Sequence, residues 1–294
     1  MIPLDALHFA SLLKRSLSDH KGNAGNLVII GGQPSMQGAL ILAGISALYS
    51  GVGKVHLITL DYPSIVGSFQ YPELMIHDGN DEKQFDSIIK TQPEVICIGN
   101  GLGVSKLAIK WLEFSILYHV PIVIDADALN LLATNPELLK IIRKRLWSTV
   151  LTPHPGEIAR ILKTTVLKIQ LKRDAYIQQL IDLSNSIVVL KGHNTLLGMP
   201  NQPILTCHDG NPGMASAGMG DVLSGLIGSM IAQGSHYNLD PWRATCLAVQ
   251  LHSLAADLLV KDGIGPIGLR ASELCSVIRR QINISSEVQA SSAI

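Results

Sequence analysis

Three observations predict an α/β fold in which a mostly parallel sheet carries helices on both faces. The apolar runs are short and apolar throughout rather than alternating, as strands buried on both sides require. Helix-length segments separate most of them, so consecutive strands are joined by crossovers. The chain has 294 residues, of which 47% are hydrophobic and 16% charged, enough to close a large core.

The first strand is read at 27–30, running into Gly31-Gly32. A small-residue helix at 38–50 follows, stopped by Gly51, and then a strand at 54–60, which completes a βαβ unit. Further strands are predicted at 73–76, 95–98, 122–124 and 150–151. The last two, 187–197 and 204–206, flank the turn-forming stretch 198–203 and predict an antiparallel edge hairpin. Helices are expected at 242–261, where the apolar surface is assigned to the core rather than to an interface, and at 271–280. No repeat or composition shift marks an internal boundary. Residues 1–284 therefore read as a single domain, and 285–294 as a polar, disordered tail.

Charge and cysteine usage exclude several classes. Twenty-three basic side chains balance 23 acidic ones, and the longest basic run, Arg143-Lys144-Arg145, suits a solvated helix end, so no nucleic-acid partner is expected. Asp5 and His8 precede Lys14-Arg15 in the first segment, which inverts the charge order of a secretory signal. Glycines interrupt the one long uncharged apolar stretch, so no membrane partner is expected and the location is read as cytoplasmic. Cys97, Cys207, Cys246 and Cys275 stand singly, as buried small hydrophobes do, and the histidines form no paired ligand motif.

The most informative segment runs from Gly210-Asn211-Pro212-Gly213 through Ala217-Gly218-Met219-Gly220-Asp221 to Gly225. Small residues let backbone N–H groups approach a phosphate, and the first turn of the helix that follows adds unpaired N–H groups and a positive dipole end. Asp221 has two readings at this point. It is a base for a hydroxyl or a holder of a metal–phosphate complex, or else a helix-terminal carboxylate that stabilises the dipole.

Ligands of open parallel sheets bind beyond the carboxyl ends of the strands. Five strand ends carry polar and glycine residues: Gly31-Gly32-Gln33, Gly99-Asn100-Gly101-Leu102-Gly103, Asp125-Ala126-Asp127-Ala128-Leu129-Asn130, Thr152-Pro153-His154-Pro155-Gly156-Glu157, and Lys191-Gly192-His193-Asn194-Thr195. Each alone suits an ordinary turn; five on one edge predict a shared cleft. Lys191 offers a point charge for phosphate, and Asp125, Asp127 and Glu157 are the candidates to orient magnesium through water. The P-loop pattern and the nucleophile elbow are absent, and Lys106 breaks a dinucleotide-binding glycine pattern.

These motifs, in this order across about residues 20–283, resemble the ADP-dependent (S)-NAD(P)H-hydrate dehydratases of the ribokinase-like superfamily. The resemblance implies a ribokinase-like three-layer α/β/α sandwich and a metabolite-repair lyase. Such an enzyme dehydrates the S form of hydrated NADH or NADPH (NADHX, NADPHX) while converting ADP to AMP and phosphate. It implies Ala39, Gly103 and His154 as contacts to the hydrated dinucleotide. It implies Lys191, Gly192, His193, Asn194, Thr195 and Gly220 as contacts to the adenine nucleotide, and Asp221 as the catalytic acid–base residue that also meets the substrate. N–H groups of Ala217, Gly218, Met219 and Gly220 would hold the developing charge. Magnesium as cofactor, ADP as co-substrate with ATP as the alternative, and a homo-oligomer, a tetramer by resemblance, also follow. The chain departs from the family pattern at Ala217, where glycine is frequent, and at Asn100, where proline is common. Many relatives carry an N-terminal epimerase domain, and the short stretch before the first motif implies a separate epimerase as functional partner. Two other functions compete: an ATP-dependent kinase of the same superfamily, of the hydroxyethylthiazole or hydroxymethylpyrimidine type, and a catalytically silent nucleotide-binding protein, which the retained Asp221 disfavours.

Overall fold

The computed structural model describes residues 1–62, 71–80 and 85–288. Among these residues ten strands form one sheet: β1 (Ile2–Pro3), β2 (Asn26–Gly31), β3 (Lys54–Thr59), β4 (Leu74–Asp78), β5 (Val95–Ile98), β6 (Ile122–Ile124), β7 (Thr149–Leu151), β8 (Ile187–Leu190), β9 (Thr195–Gly198) and β10 (Leu205–Cys207). Their order is β1-β10-β9-β8-β7-β6-β5-β2-β3-β4. From β8 to β4 every neighbouring pair is parallel, whereas β9 runs against both β8 and β10.

Alternation along each strand sorts the core into two layers. Leu27, Ile29, Val95 and Cys97 face one layer, closed by helices α1 (Gln37–Tyr49), α9 (Met219–Tyr237), α10 (Pro241–Lys261) and α11 (Ala271–Val288). Val28, Ile30, Ile96 and Ile98 face the other. There α2 (Phe85–Thr91), α3 (Lys106–Leu117), α4 (Ala126–Thr134), α5 (Pro136–Arg143), α6 (Pro155–Ile161), α7 (Val166–Leu171) and α8 (Arg173–Ser184) pack. The result is the three-layer α/β/α sandwich expected from fully apolar strands. Helix α10 is buried along most of its length, as its assignment to the core requires, and all four cysteines are buried and free. Among the described residues no helix is long and apolar enough to cross a membrane.

Three expectations need correction. The segment 187–197 is two strands, because the chain reverses at Lys191-Gly192-His193-Asn194, with Gly192 at φ 132° and Asn194 at φ 53°. The outermost strand on that side is β1, whose two residues are too few to show a pattern; it is held by Ile2 N–H to Ile204 O (3.2 Å) and Leu4 N–H to Thr206 O (2.8 Å). Finally, 285–288 continue α11 rather than forming a tail. Buried Ile282 ties its inner face to the core, and the Ser286 hydroxyl donates back to Asn283 O at 2.8 Å. The rest of the expected tail, 289–294, lies outside the described residues.

Helix α9 runs under the middle of the sheet and sits close against α1, where the Ser46 hydroxyl donates to Val222 O (2.7 Å). A Cβ on Gly225 would lie 2.0 Å from Ala43 O on α1. Gly225→Ala should therefore force the two helices apart and cost about 1–3 kcal/mol, read as a melting midpoint several degrees lower. Gly38→Ala, with nothing within 4 Å of the new methyl, should not lower it. Equal midpoints for the two variants would contradict this close approach.

Candidate active site

Strands β2, β5, β6, β7 and β8 are parallel and contiguous, so the five polar strand ends open on one edge of the sheet. The chain winds outward from β2 through β3 to β4 and then returns to β5 on the other side of β2. That reversal is a topological switch point, where a crevice forms. Across it the loops after β2 and β5 are joined: Gly32 N–H donates to Asn100 O (3.0 Å) and Gln33 N–H to Gly101 O (2.7 Å). Glycine is required at Gly31, where a Cβ would meet Asn100 O at 2.1 Å. A Cβ on Gly101 would lie 3.4 Å from that of Ala39, so the loop that leads to Gly103 packs against the start of α1. Gly103 N–H is held by Asp127 Oδ2 at 2.8 Å.

The Gly-rich run is anchored before it reaches the helix. Asp257 on α10 accepts from Gly210 N–H and from Asn211 Nδ2, both at 2.8 Å. Gly218, at φ 88°, starts α9 with no side-chain cap, so the first-turn N–H groups of Met219, Gly220 and Asp221 have no capping side chain. The Met219 side chain is packed in the core, whereas Ala217 is exposed. Asp221 does not cap its own helix either. Its Oδ1 accepts from Asn100 Nδ2 at 2.8 Å, across the cleft from the end of β5.

A charged network underlies this helix end. Asp125, buried after β6, accepts from Lys191 Nζ at 2.7 Å and from the Ser224 hydroxyl of α9 at 2.5 Å. Burial opposes the Asp125 charge, but Lys191 and the hydroxyl donors hold its carboxyl below the ordinary value. Burial likewise opposes the Lys191 charge, and Asp125, Glu157 and Asp221 more than compensate. A methyl on Gly220 would stand 3.2 Å from Lys191 Nζ, so the ammonium faces the open end of α9 directly. Burial pushes Asp221 up to about 6, against the Asn100 hydrogen bond. That value suits a base working near neutral pH.

The loop after β7 places His154 as N-cap of α6. Its Nδ1 accepts from Gly156 N–H (2.9 Å), and Glu157 Oε2 accepts from His154 N–H (2.7 Å). With Nδ1 accepting, the ring proton is on Nε2, 3.3 Å from Glu157 Oε1. The half-exposed ring is held toward its neutral form by burial and by Lys191 and Arg160. Burial takes Glu157 up to about 7.

The turn that follows Lys191 borders a cavity of about 510 Å³. Gly192, His193, Asn194 and Thr195 line one side, and Gly210 to Pro212 with Met214 the other. Arg173 on α8 braces the turn by donating to Leu190 O (3.0 Å) and Lys191 O (3.3 Å). Gly220 lies outside this cavity and belongs to the Lys191–Asp221 part of the site.

The donors do not build a metal cage. Asp125, Asp127 and Glu157 are bound to Lys191 and Ser224, to Gly103 N–H and to His154 N–H respectively, and no group of three metal-ligating side chains converges among the described residues. Such a set fits only an ion carried on nucleotide phosphates and met through water.

Sequence reasoning missed Ser224, Asp257 and Arg173 as parts of the site, and saw in Asn100 no more than a departure. Asp257 had a legible signal, as a lone carboxylate in an apolar helical stretch; Ser224 and Arg173 look like any helical residues until the fold brings them to the strand ends.

A family model described as NAD(P)H-hydrate dehydratase matches residues 27–280. An ADP-dependent (S)-NAD(P)H-hydrate dehydratase of Neisseria meningitidis is 38% identical over 93% of this chain and 90% of its own length. A bifunctional NAD(P)H-hydrate repair enzyme of Escherichia coli is 37% identical over 92% of this chain, which spans 50% of that longer protein. Among solved structures, an ADP/ATP-dependent NAD(P)H-hydrate dehydratase from Bacillus subtilis, co-crystallised with ATP and Mg²⁺, superposes with a TM-score of 0.82 at 28% identity, covering 97% of this chain and 99% of that one. A hydroxyethylthiazole kinase from Pyrococcus horikoshii shares the fold at 15% identity, with a TM-score of 0.63.

Proposed function

Because this chain belongs to the NAD(P)H-hydrate dehydratase family, a group of nucleotide-dependent repair lyases, we propose that Asp221 is the base of an ADP-coupled dehydration of the S hydrates of NADH and NADPH. The carboxylate takes the proton of the C6 hydroxyl while that oxygen bonds to the terminal phosphorus of ADP. The bond from that phosphorus to the bridging oxygen breaks, and AMP leaves with the electron pair. The ring nitrogen then expels phosphate from C6, and loss of the C5 proton completes the double bond. Lys191 and the first N–H groups of α9, with those of Ala217 and Gly218, are assigned to the charge that develops on the transferred phosphoryl group. Ala39, Gly103 and His154 take the hydrated dinucleotide, and 192–195 the adenine nucleotide.

The observation that carries this reading is the Asp221 carboxylate itself. It stands at the uncapped end of α9, bonded across the crevice to Asn100 rather than to its own helix, beside Lys191. A pure phosphate binder gains nothing from a carboxylate there. Magnesium, when bound with the nucleotide, neutralises phosphate charge, and we assign Asp125, Asp127 and Glu157 to its waters. A cytoplasmic homo-oligomer working beside an epimerase completes the proposal, and the unbroken sheet supports one domain over 1–284.

The test mixes hydrated NADH with ADP or with ATP and follows the absorbance of the restored dihydronicotinamide. Recovery with stoichiometric release of phosphate is expected, faster with ADP. No recovery with either nucleotide, together with phosphorylation of a thiazole or pyrimidine alcohol, would replace this reading by the kinase one.

A further inference from the structure

We propose that Asn100 is a positioning residue whose side-chain amide holds the Asp221 carboxylate at the mouth of the phosphate cradle. The inference rests on the reading of Asp221 as the base. Asn100 is fully buried between Gly99 (φ 127°) and Gly101 (φ 62°), and its carbonyl accepts from Gly32 N–H at 3.0 Å. Backbone pairing on that side fixes where the side chain must go. Its Nδ2 reaches a residue 121 positions later in the chain, donating to Asp221 Oδ1 at 2.8 Å. Its Oδ1 is buried with no hydrogen-bond partner among the described residues. A buried amide that satisfies only one end is a poor choice for stability, because the unpaired oxygen keeps its desolvation penalty. The arrangement makes sense through what the paired end does.

The donor favours the ionised carboxylate over the protonated one. The other groups facing Asp221 are Asp125 and Asp127, from the segment after β6, and Lys191, from the end of β8. The two carboxylates push Asp221 toward protonation and Lys191 pulls the other way, although its ammonium is already bonded to Asp125. Asn100 thus supplies a neutral counterweight to burial and to two negative neighbours. The orphaned Oδ1 adds a second use: once Asp221 has accepted a proton, rotation of the amide presents an acceptor to the new O–H. The carboxyl is held in both protonation states, as a group that takes and then releases a proton requires.

The test titrates the protein with ¹³C-labelled Asp carboxyl groups by NMR, the Asp221 signal being assigned from its loss in Asp221→Asn, alongside the pH dependence of kcat/KM. Asn100→Leu keeps the volume and removes the donor; Asn100→Asp is isosteric and adds a carboxyl. In Asn100→Leu the Asp221 midpoint should rise by about one unit; in Asn100→Asp the two facing carboxyls titrate as a pair, whose upper midpoint should rise by more. The acid limb of kcat/KM should follow, with a loss of about fivefold near pH 6 that nearly vanishes near pH 8. An unmoved midpoint in Asn100→Leu would overturn the proposal, and Asn100→Ala, which also removes the donor without adding a charge, decides it where Asn100→Leu does not fold. The NMR midpoint needs no turnover, so failure of the base assignment shows separately, as near-normal activity in Asp221→Asn.

Discussion

Asp221→Asn is expected to leave the fold and nucleotide binding intact while lowering kcat by about 10²–10⁴-fold, the range for removal of a positioned base. The amide keeps the size of the carboxylate, and its oxygen still accepts from Asn100 Nδ2, so geometry survives. What is lost is the capacity to take a proton. Because the lost interaction operates in the transition state, kcat and kcat/KM should fall together with KM little changed. Two signs follow from a carboxyl raised from 3.8 to about 6. Activity requires the ionised form, so kcat/KM should rise with pH through about 6. Stability runs the other way. The folded state binds this proton more tightly than the unfolded one, so the stabilisation is fully present below about 4 and lost as pH rises through 6. Above that pH Asp221→Asn removes a charge that burial disfavours, and its melting midpoint should equal or exceed that of the parent. Repair of hydrated NADH by this variant at near the parent rate would rule out the base assignment.

How much of this was legible beforehand depended on the range of the interactions involved. The strands 95–98 and 122–124 are apolar throughout, and their bounds follow from composition and flanking turns alone. The location of the cleft was legible for the same reason, since parallel strands put every carboxyl end on one edge. The reversal at Lys191 to Asn194 was obscured by apolar residues on both sides of a motif with an evident ligand role. β1 was invisible, because a two-residue strand has no periodicity. Within the site, the residues that touch across large sequence separations were the illegible ones. Nothing in the chain near Asn100 announces a partner at Asp221, nor near Asp257 one at Asn211. Lys191 shows the difference most sharply: from sequence it was a cation free for phosphate, whereas the structure gives it Asp125 as a standing partner.

That partner changes what removal of Lys191 should do. Lys191→Met leaves Asp125 buried and charged with its cation gone, and breaking a buried pair from one side costs about 3–5 kcal/mol. The loss has a defined pH window. Asp125 is held below its ordinary 3.8 and Lys191 above its ordinary 10.5, so the pair contributes fully between those values. Its contribution fades as pH falls through the lower folded value of Asp125, or rises through the higher one of Lys191. The destabilisation of Lys191→Met should therefore be largest near neutral pH and shrink in acid, where Asp125 takes up a proton. The double variant Asp125→Asn/Lys191→Met leaves no lone charge behind, and the Ser224 hydroxyl can still donate to the Asn carbonyl oxygen, so most of the stability should return. Function should not return with it. The ammonium that faces Gly220 is absent in both variants, so both should bind ADP more weakly by about 1–3 kcal/mol, the loss expected for a charge-assisted contact to phosphate. Denaturation midpoints across pH and calorimetric Kd values for ADP separate the two effects. A single variant as stable as the parent at neutral pH would deny the structural role of the pair, and a double variant that binds ADP as the parent does would deny Lys191 its place at the phosphates.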